Sequence, residues 1–225
     1  MTTEPRRIFS LAAAGGLPGE SLEEWFVRTF GKPPPPTQDM DISRDHHLED
    51  RRREAKAAFE RTIPPSFQWA RFAAPQLALR LLSPGAASEG RAACESVRTC
   101  LIGAARAGKT SLGVAMLRRR VWKSGVAAMF FHAHRLGIAR IQHPAGHGEP
   151  DIIDDAIHIP LAFIDDLGSE RDMSTNAIPD VIFERHAASR ATWITTGMTR
   201  EQLVTRYGQG TVARIFEGAK VIRLG

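Results

Sequence analysis

Residues 103–110 read Gly103-Ala-Ala-Arg-Ala-Gly108-Lys109-Thr110, and the architecture of the chain follows from them. The stretch follows a short apolar run, Val97 to Ile102, and opens onto Ser111-Leu-Gly-Val-Ala-Met-Leu117, which has helical character. Strand, glycine-bounded loop and helix form the setting in which G-x-x-x-x-G-K-S/T becomes a phosphate cradle. Four fixed positions arise by accident in roughly one chain in a hundred of this length, so the flanking strand and helix carry as much weight as the match. Loop N–H groups turned inward, together with the positive end of the helix dipole, favour a polyphosphate. Lys109 would reach the β and γ phosphates and the Thr110 hydroxyl would ligate Mg²⁺. The candidate nucleotide-binding segment is therefore Gly103, Ala104, Ala105, Arg106, Ala107, Gly108, Lys109, Thr110 and Ser111.

On either side of the cradle, apolar strands alternate with helices from about residue 66. Strands are predicted at 97–102, 126–131, 161–164, 192–195 and 219–224, with helices at 112–122, 177–189 (broken near its start by Pro179), 200–207 and 211–216. The segment from His132 to Asp155 reads as polar, glycine- and histidine-bearing connection. This alternation implies a parallel sheet covered by helices on both faces. The third strand ends in Asp165-Asp166, paired acids at the C-terminal edge where ligands of parallel sheets sit. Asp165 is the candidate Mg²⁺ ligand, acting through water, and Asp166 the group that orients or polarises an attacking water. Cradle and acids together point to an ATP site.

The first 60 residues differ. Ser21-Leu-Glu-Glu24 has capping-box spacing ahead of Trp25, Phe26 and Phe30, which share one helical face with Leu22. Gly31 stops that helix, Pro33 to Pro36 form an extended spacer, and residues 50–61 read as a charged helix ending before Ile63-Pro64-Pro65. Two readings of the aromatic face stand side by side: a docking element for a partner, or a surface packed back on the main domain.

Composition bounds the rest. With 225 residues, 43% hydrophobic and 24% charged, the chain is one ordinary domain plus something smaller. No apolar run reaches membrane-spanning length and no secretory signal pattern opens the chain, so a cytoplasmic protein without membrane association is expected. Cys94 and Cys100 are too few for a disulfide framework and read as core thiols. A net charge of +5 permits nucleic-acid contact without demonstrating it. His132, His134, His143 and His147 lack partners at zinc-site spacing and read as loop histidines. Arg118-Arg-Arg120 closes the helix after the cradle, where cations suit the dipole; it is also a candidate face for single-stranded DNA.

Ile63-Pro-Pro followed by Phe67, the cradle, and Phe-Ile-Asp-Asp-Leu-Gly-Ser-Glu170 together resemble the DnaC/IstB-like AAA+ ATPases, bacterial helicase loaders and transposition helpers. Downstream, Ile182-Phe-Glu-Arg185-His186, Trp193-Ile-Thr-Thr196-Gly197-Met198 and Leu203-Val-Thr-Arg-Tyr-Gly208 through Ile215 are similar to the family's later blocks. The resemblance covers about residues 60–225. It implies a three-layer AAA+ sandwich around a central parallel sheet, with an ATPase domain at 61–225; as a departure from the family the chain ends at Leu224-Gly225 without a small C-terminal helical lid, and residues 1–60, which the resemblance does not cover, are expected to be a partner-binding region. It further implies head-to-tail assembly, as a homo-oligomer or filament with ATP, in which Arg214 of one protomer reaches the γ-phosphate held by the next; Arg206 is the competitor. The expected function is an ATP- and Mg²⁺-dependent protein acting on DNA, preferably single-stranded, that loads a replicative helicase. The alternatives are a transposition helper that recruits a transposase and a weakly hydrolysing nucleotide-binding scaffold.

Two positions depart from the family pattern. Arg106 replaces a cradle glycine, a strained choice if that position needs positive φ. Gly197 stands where the family has a polar sensor asparagine, leaving Thr195 or Thr196 as substitutes and implying slow hydrolysis.

Overall fold

Residues 21–32, 38–144, 146–170 and 176–225 are described in a computed structural model. The first 20 residues and the proline spacer at 33–36 lie outside the described residues. Two compact units are distinguished, residues 1–47 and 48–225.

In the smaller unit, helix α1 (Leu22–Phe30) forms where the capping box predicts it. The Glu24 N–H donates to Ser21 Oγ at 3.2 Å, and the Ser21 N–H donates back to Glu24 Oε2 at 2.8 Å. This satisfies two orphan donors of the first turn. Gly31, at φ 70°, ends the helix in the left-handed conformation that costs glycine least. The Trp25 and Phe30 rings meet edge to face at 5.7 Å.

The larger unit takes in helix α2 (Gln38–Thr62) from residue 48 onward, a 3-10 turn at Pro65–Phe67, and helices α3 (Pro75–Arg80) and α4 (Ala86–Ala93). Then come β1 (Arg98–Gly103), α5 (Lys109–Ser124), β2 (Ala128–His132), α6 (Ala133–Gln142), α7 (Asp151–His158) and β3 (Leu161–Leu167). The chain closes with α8 (Ala177–Ala187), β4 (Ala191–Thr196), α9 (Arg200–Tyr207), α10 (Gln209–Phe216) and β5 (Lys220–Leu224). The five strands form one sheet in the order β2-β3-β4-β1-β5, and every neighbouring pair is parallel.

Both faces of this sheet are buried, which is why its strands read as unbroken apolar runs. Alternate residues divide between two cores. Leu101, Leu161, Phe163 and Trp193 face a cluster with Phe59 of α2 and Leu112 and Met116 of α5. Cys100, Ala162, Ile164 and Ile194 face a second cluster built on α6 to α10. Helix α5 is buried along most of its length and lies close to the sheet at Gly113, where an added Cβ would meet the Phe163 ring at 2.3 Å. The thiols of Cys94 and Cys100 are buried, and desolvation pushes Cys100 up to about 12.

Two elements differ from the sequence reading. Between His132 and Asp155 the chain forms α6 and begins α7 rather than a polar connection. Leu136, Ile153 and Ala156 are fully buried there, and that burial sustains both helices in a segment punctuated by Gly137, Pro144, Gly146, Gly148 and Pro150. Pro179 does not break α8; it occupies the first turn, where a missing N–H leaves no intrahelical bond unmade.

Buried arginines tie these layers together. Arg118 of α5 donates to Glu60 Oε1 and Oε2 at 2.8 and 2.6 Å and to the Ala70 carbonyl at 2.6 Å. Arg120 pairs with Glu95, so two members of the basic run 118–120 have internal partners and only Arg119 is exposed. Arg185 of α8, entirely buried, donates to Thr192 Oγ1 at 2.9 Å and to the carbonyls of Ala156, Ile157 and Ile159 at 2.7, 3.1 and 2.8 Å. Desolvation lowers its pKa to about 9, still a charged guanidinium at neutral pH.

Candidate nucleotide site

The loop 103–108 joins the end of β1 to the start of α5, and β3 ends across β4 from it. A cleft of ≈ 810 Å³ opens between them, lined by the loop from Ala105 to Ser111, by His132, Asp165, Asp166 and Thr195, and by Phe67, Leu79, Arg80 and Leu82. That volume suits a small-molecule site.

Gly108 has φ 90°, and an added Cβ would sit 2.7 Å from the Arg80 carbonyl oxygen, so conformation and space both demand glycine there. Helix α5 begins at the next residue without a side-chain cap, leaving its first N–H groups turned to the cleft end of the helix. Lys109 is 8% exposed and donates to the carbonyls of Gly103 and Ala104 at 2.9 and 2.7 Å, an arrangement that closes the loop over its side chain. Burial pushes this amine below the usual lysine value, and the carboxylates of Asp166 and Asp165 pull it partly back.

Thr110 and Asp165 meet. The Thr110 hydroxyl donates to Asp165 Oδ1 at 2.8 Å, and the Thr195 hydroxyl donates to the same oxygen at 2.7 Å. Asp165 is buried, which pushes its carboxyl above the usual aspartate value against the lowering effect of both hydroxyls and of His132. Asp166 adopts φ 57°, its N–H donates to Thr195 Oγ1 at 2.8 Å, and its side chain lies exposed at the cleft. Thr195 thus holds both acids from the intervening strand. Thr196 is turned away, donating to the Leu167 carbonyl at 2.7 Å.

The residues present fit a Mg²⁺-bound nucleotide. A hydroxyl and a carboxylate share one hydrogen bond, an all-oxygen donor pair suited to a hard cation that keeps most of its waters. A buried lysine stands one residue away on the same helix end, and Phe67, Leu79 and Leu82 give the cleft an apolar lip.

Sequence reasoning did not place Leu79, Arg80, Leu82 or His132 in the cleft, and of these His132 is the one beside an acid. It pairs in register with Asp165 across β2 and β3, and its Nδ1 lies 3.8 Å from Asp165 Oδ2. Its place as the last residue of the strand beside β3 is the signal that could have found it. His143 and His147 meet edge to face with ring centroids 6.4 Å apart, and no cluster of three His, Cys, Asp or Glu side chains able to hold a metal occurs among the described residues.

Arg214 does not line the cleft of its own chain. Its Nη1 donates to the Gly210 carbonyl at 2.9 Å, and its guanidinium lies 3.7 Å from the centroid of the Phe183 ring, which is 42% exposed. Arg206 is committed elsewhere: its Nε donates to Glu170 Oε1 at 3.1 Å, its Nη2 to the Glu170 carbonyl, and Tyr207 donates to the same carboxylate. Glu170 also accepts from the Gly168 N–H at 3.1 Å, so this buried acid anchors the segment after β3 to α9.

At Gly197 an added Cβ would find only the Gly103 carbonyl oxygen, at 3.7 Å. Space for a side chain exists there. Among the described residues no helix is long and apolar enough to cross a membrane.

No family model and no curated protein matches the chain. Its fold is similar to that of several solved structures. The DnaC helicase loader superposes with a TM-score of 0.58 at 22% identity, over 72% of this chain and 100% of that one. A putative primosome component from Streptococcus pyogenes serotype M3 gives 0.55 at 17% identity, over 73% of this chain and 90% of that one. DnaI gives 0.54 at 16% identity, over 77% and 94%. These likenesses show the fold, a five-stranded parallel sheet in the order β2-β3-β4-β1-β5 covered by helices, in common with the DnaC and DnaI structures.

Proposed function

We propose that this chain binds ATP with Mg²⁺ in the cleft between the 103–108 loop and Asp165, hydrolyses it slowly, and acts on DNA as a helicase-loader-like protein. One observation carries the nucleotide reading: Thr110 and Thr195 converge on Asp165 Oδ1 at 2.8 and 2.7 Å, directly beside a buried Lys109. In this reading the loop N–H groups and Lys109 bind the phosphates, Thr110 holds the metal, and Asp165 orients its waters. Phe67, Leu79 and Leu82 contact the base. Mg²⁺ would supply charge neutralisation on the phosphate oxygens. Asp166 accepts a hydrogen bond from the attacking water and orients it. Arg214, which lies over the Phe183 ring and does not line its own cleft, would serve a neighbouring one in a head-to-tail assembly.

The slow-hydrolysis part rests on Gly197, which offers no side chain, and on Thr195, whose hydroxyl is already spent on Asp165. The role on DNA rests on likeness to DnaC and DnaI. The region 1–60 is the proposed contact to a replicative helicase, and a transposase is the alternative partner.

Titration of the full chain with ATP and Mg²⁺, followed by sedimentation with single- and double-stranded DNA, tests the reading. ATP-stimulated self-association with a single-strand preference is expected, and capture of a replicative helicase completes it. Duplex-coating filaments without helicase capture would favour the transposition-helper alternative. Absence of nucleotide binding would sink both.

A further inference from the structure

Three non-glycine residues among those described have left-handed backbone, Arg106 (φ 63°), Asp166 (φ 57°) and Ser189 (φ 52°), and the first two line the same cleft. Aspartate visits this region with modest penalty, whereas an arginine there bears a steric cost that glycine would not incur. Strain of this kind persists where surrounding structure over-determines it, and it gathers at ligand sites. The arginine also carries more side-chain entropy to lose than any small residue there.

The other basic side chains of the cleft already have partners. Lys109 is held by the Gly103 and Ala104 carbonyls, the Arg80 guanidinium lies 4.9 Å over the Trp69 ring, and His132 faces Asp165. Arg106 alone among them is an exposed cation with no hydrogen bond, ion pair or ring contact to the described residues. Its neighbours Ala104, Ala105 and Ala107 carry only methyl groups, so nothing on the loop competes with it for an anion. A guanidinium offers forked donors that match a terminal phosphate.

We propose that Arg106 is a cis contact to the terminal phosphate, making this site discriminate nucleoside triphosphates from diphosphates. The assignment rests on the nucleotide reading of the cleft and adds to it a specificity-determining residue. A diphosphate is held by the loop N–H groups and Lys109. A triphosphate adds the charge that Arg106 is free to meet.

The test is calorimetric titration of the full chain with Mg²⁺ and either ADP or the non-hydrolysable triphosphate AMPPNP, for wild type, R106G and R106K. R106G is expected to weaken AMPPNP binding roughly 10- to 100-fold and ADP binding less than about threefold. R106K, which keeps the charge without the fork, is expected to retain part of the preference. R106G removes left-handed strain, so its ligand-free Tm is expected at or above that of wild type, which separates a binding effect from a folding defect. An equal effect on both nucleotides, or none, overturns the assignment while the nucleotide site stands. An unchanged ratio with lost ATP-dependent self-association turns Arg106 toward a neighbouring copy and likewise overturns it. Wild type that binds neither nucleotide overturns site and assignment together.

Discussion

Thr110 and Asp165 lie 55 positions apart in the chain and share a 2.8 Å hydrogen bond. One opens α5 and the other nearly closes β3, so the bond brings two separately readable motifs to one point. The loop contributes the hydroxyl and the strand the buried carboxylate. The same carboxylate carries opposite consequences for binding and for stability.

Asp165→Asn is expected to remove Mg²⁺-dependent nucleotide binding and to stabilise the ligand-free protein. Burial raises the folded carboxyl above its unfolded value, so its contribution is lost to the native state as pH rises through the folded pKa. The asparagine keeps an acceptor for both threonines and does not ionise. The Tm difference between variant and wild type should therefore be small near about pH 4 and larger near about pH 7, where calorimetric scans can read it. A difference that shrinks as pH rises would contradict the burial argument.

Arg214→Ala is expected to leave nucleotide affinity within about twofold, because the side chain stacks on Phe183 outside its own cleft. Turnover should fall roughly 1000-fold or more if the residue serves a neighbouring site. Steady-state ATPase assays across protein concentration check this, and mixing the variant with Lys109→Ala chains should restore activity only if sites are shared. Each protein alone is the control.

Gly197→Asn is expected to raise kcat roughly tenfold with KM little changed, since a Cβ added there would meet nothing closer than 3.7 Å. Phosphate-release kinetics provide the measurement. An unchanged kcat would mean that hydrolysis is limited elsewhere.

Arg185→Lys is expected to destabilise the fold by about 3 kcal/mol, read as a lower urea midpoint. An ammonium cannot reproduce the guanidinium fork that serves Thr192 and the carbonyls of Ala156, Ile157 and Ile159 together. Nucleotide affinity per folded molecule should not change, because Arg185 lies away from the cleft.

Glu60→Ala should cost about 2 kcal/mol, because it strands Arg118, whose side chain is 2% exposed, while Glu60 itself is 36% exposed and partly screened. Urea denaturation of the single variant and of Glu60→Leu with Arg118→Leu separates the stranded charge from the pair. The double variant should recover most of the loss.

The chain declares its strands and its cradle locally. Alternation of apolar runs with helical patterns, Gly108 before Lys109, and Asp165-Asp166 at a strand end are short-range signals, and short-range sterics and solvation enforce them. The capping box at Ser21 and Glu24 belongs to the same class. The misreadings fall where local signals were weak. Helices α6 and α7 exist because Leu136, Ile153 and Ala156 find a sheet to cover, and no residue nearby announces that.

Pairing across distance came from the folded arrangement alone. Insertion of β4 between β1 and β3 puts the Thr195 hydroxyl on Asp165, and β2 beside β3 brings His132 opposite the same acid. Burial then decides which charges remain available: Arg118 and Arg120 are consumed by Glu60 and Glu95, and Arg206 by Glu170, while Arg106 stays exposed in a backbone conformation that only the folded loop imposes. A sequence sets residue types and local dihedral preferences. Which distant groups share a desolvated space follows from packing both faces of the sheet, and that choice set the charges of this cleft.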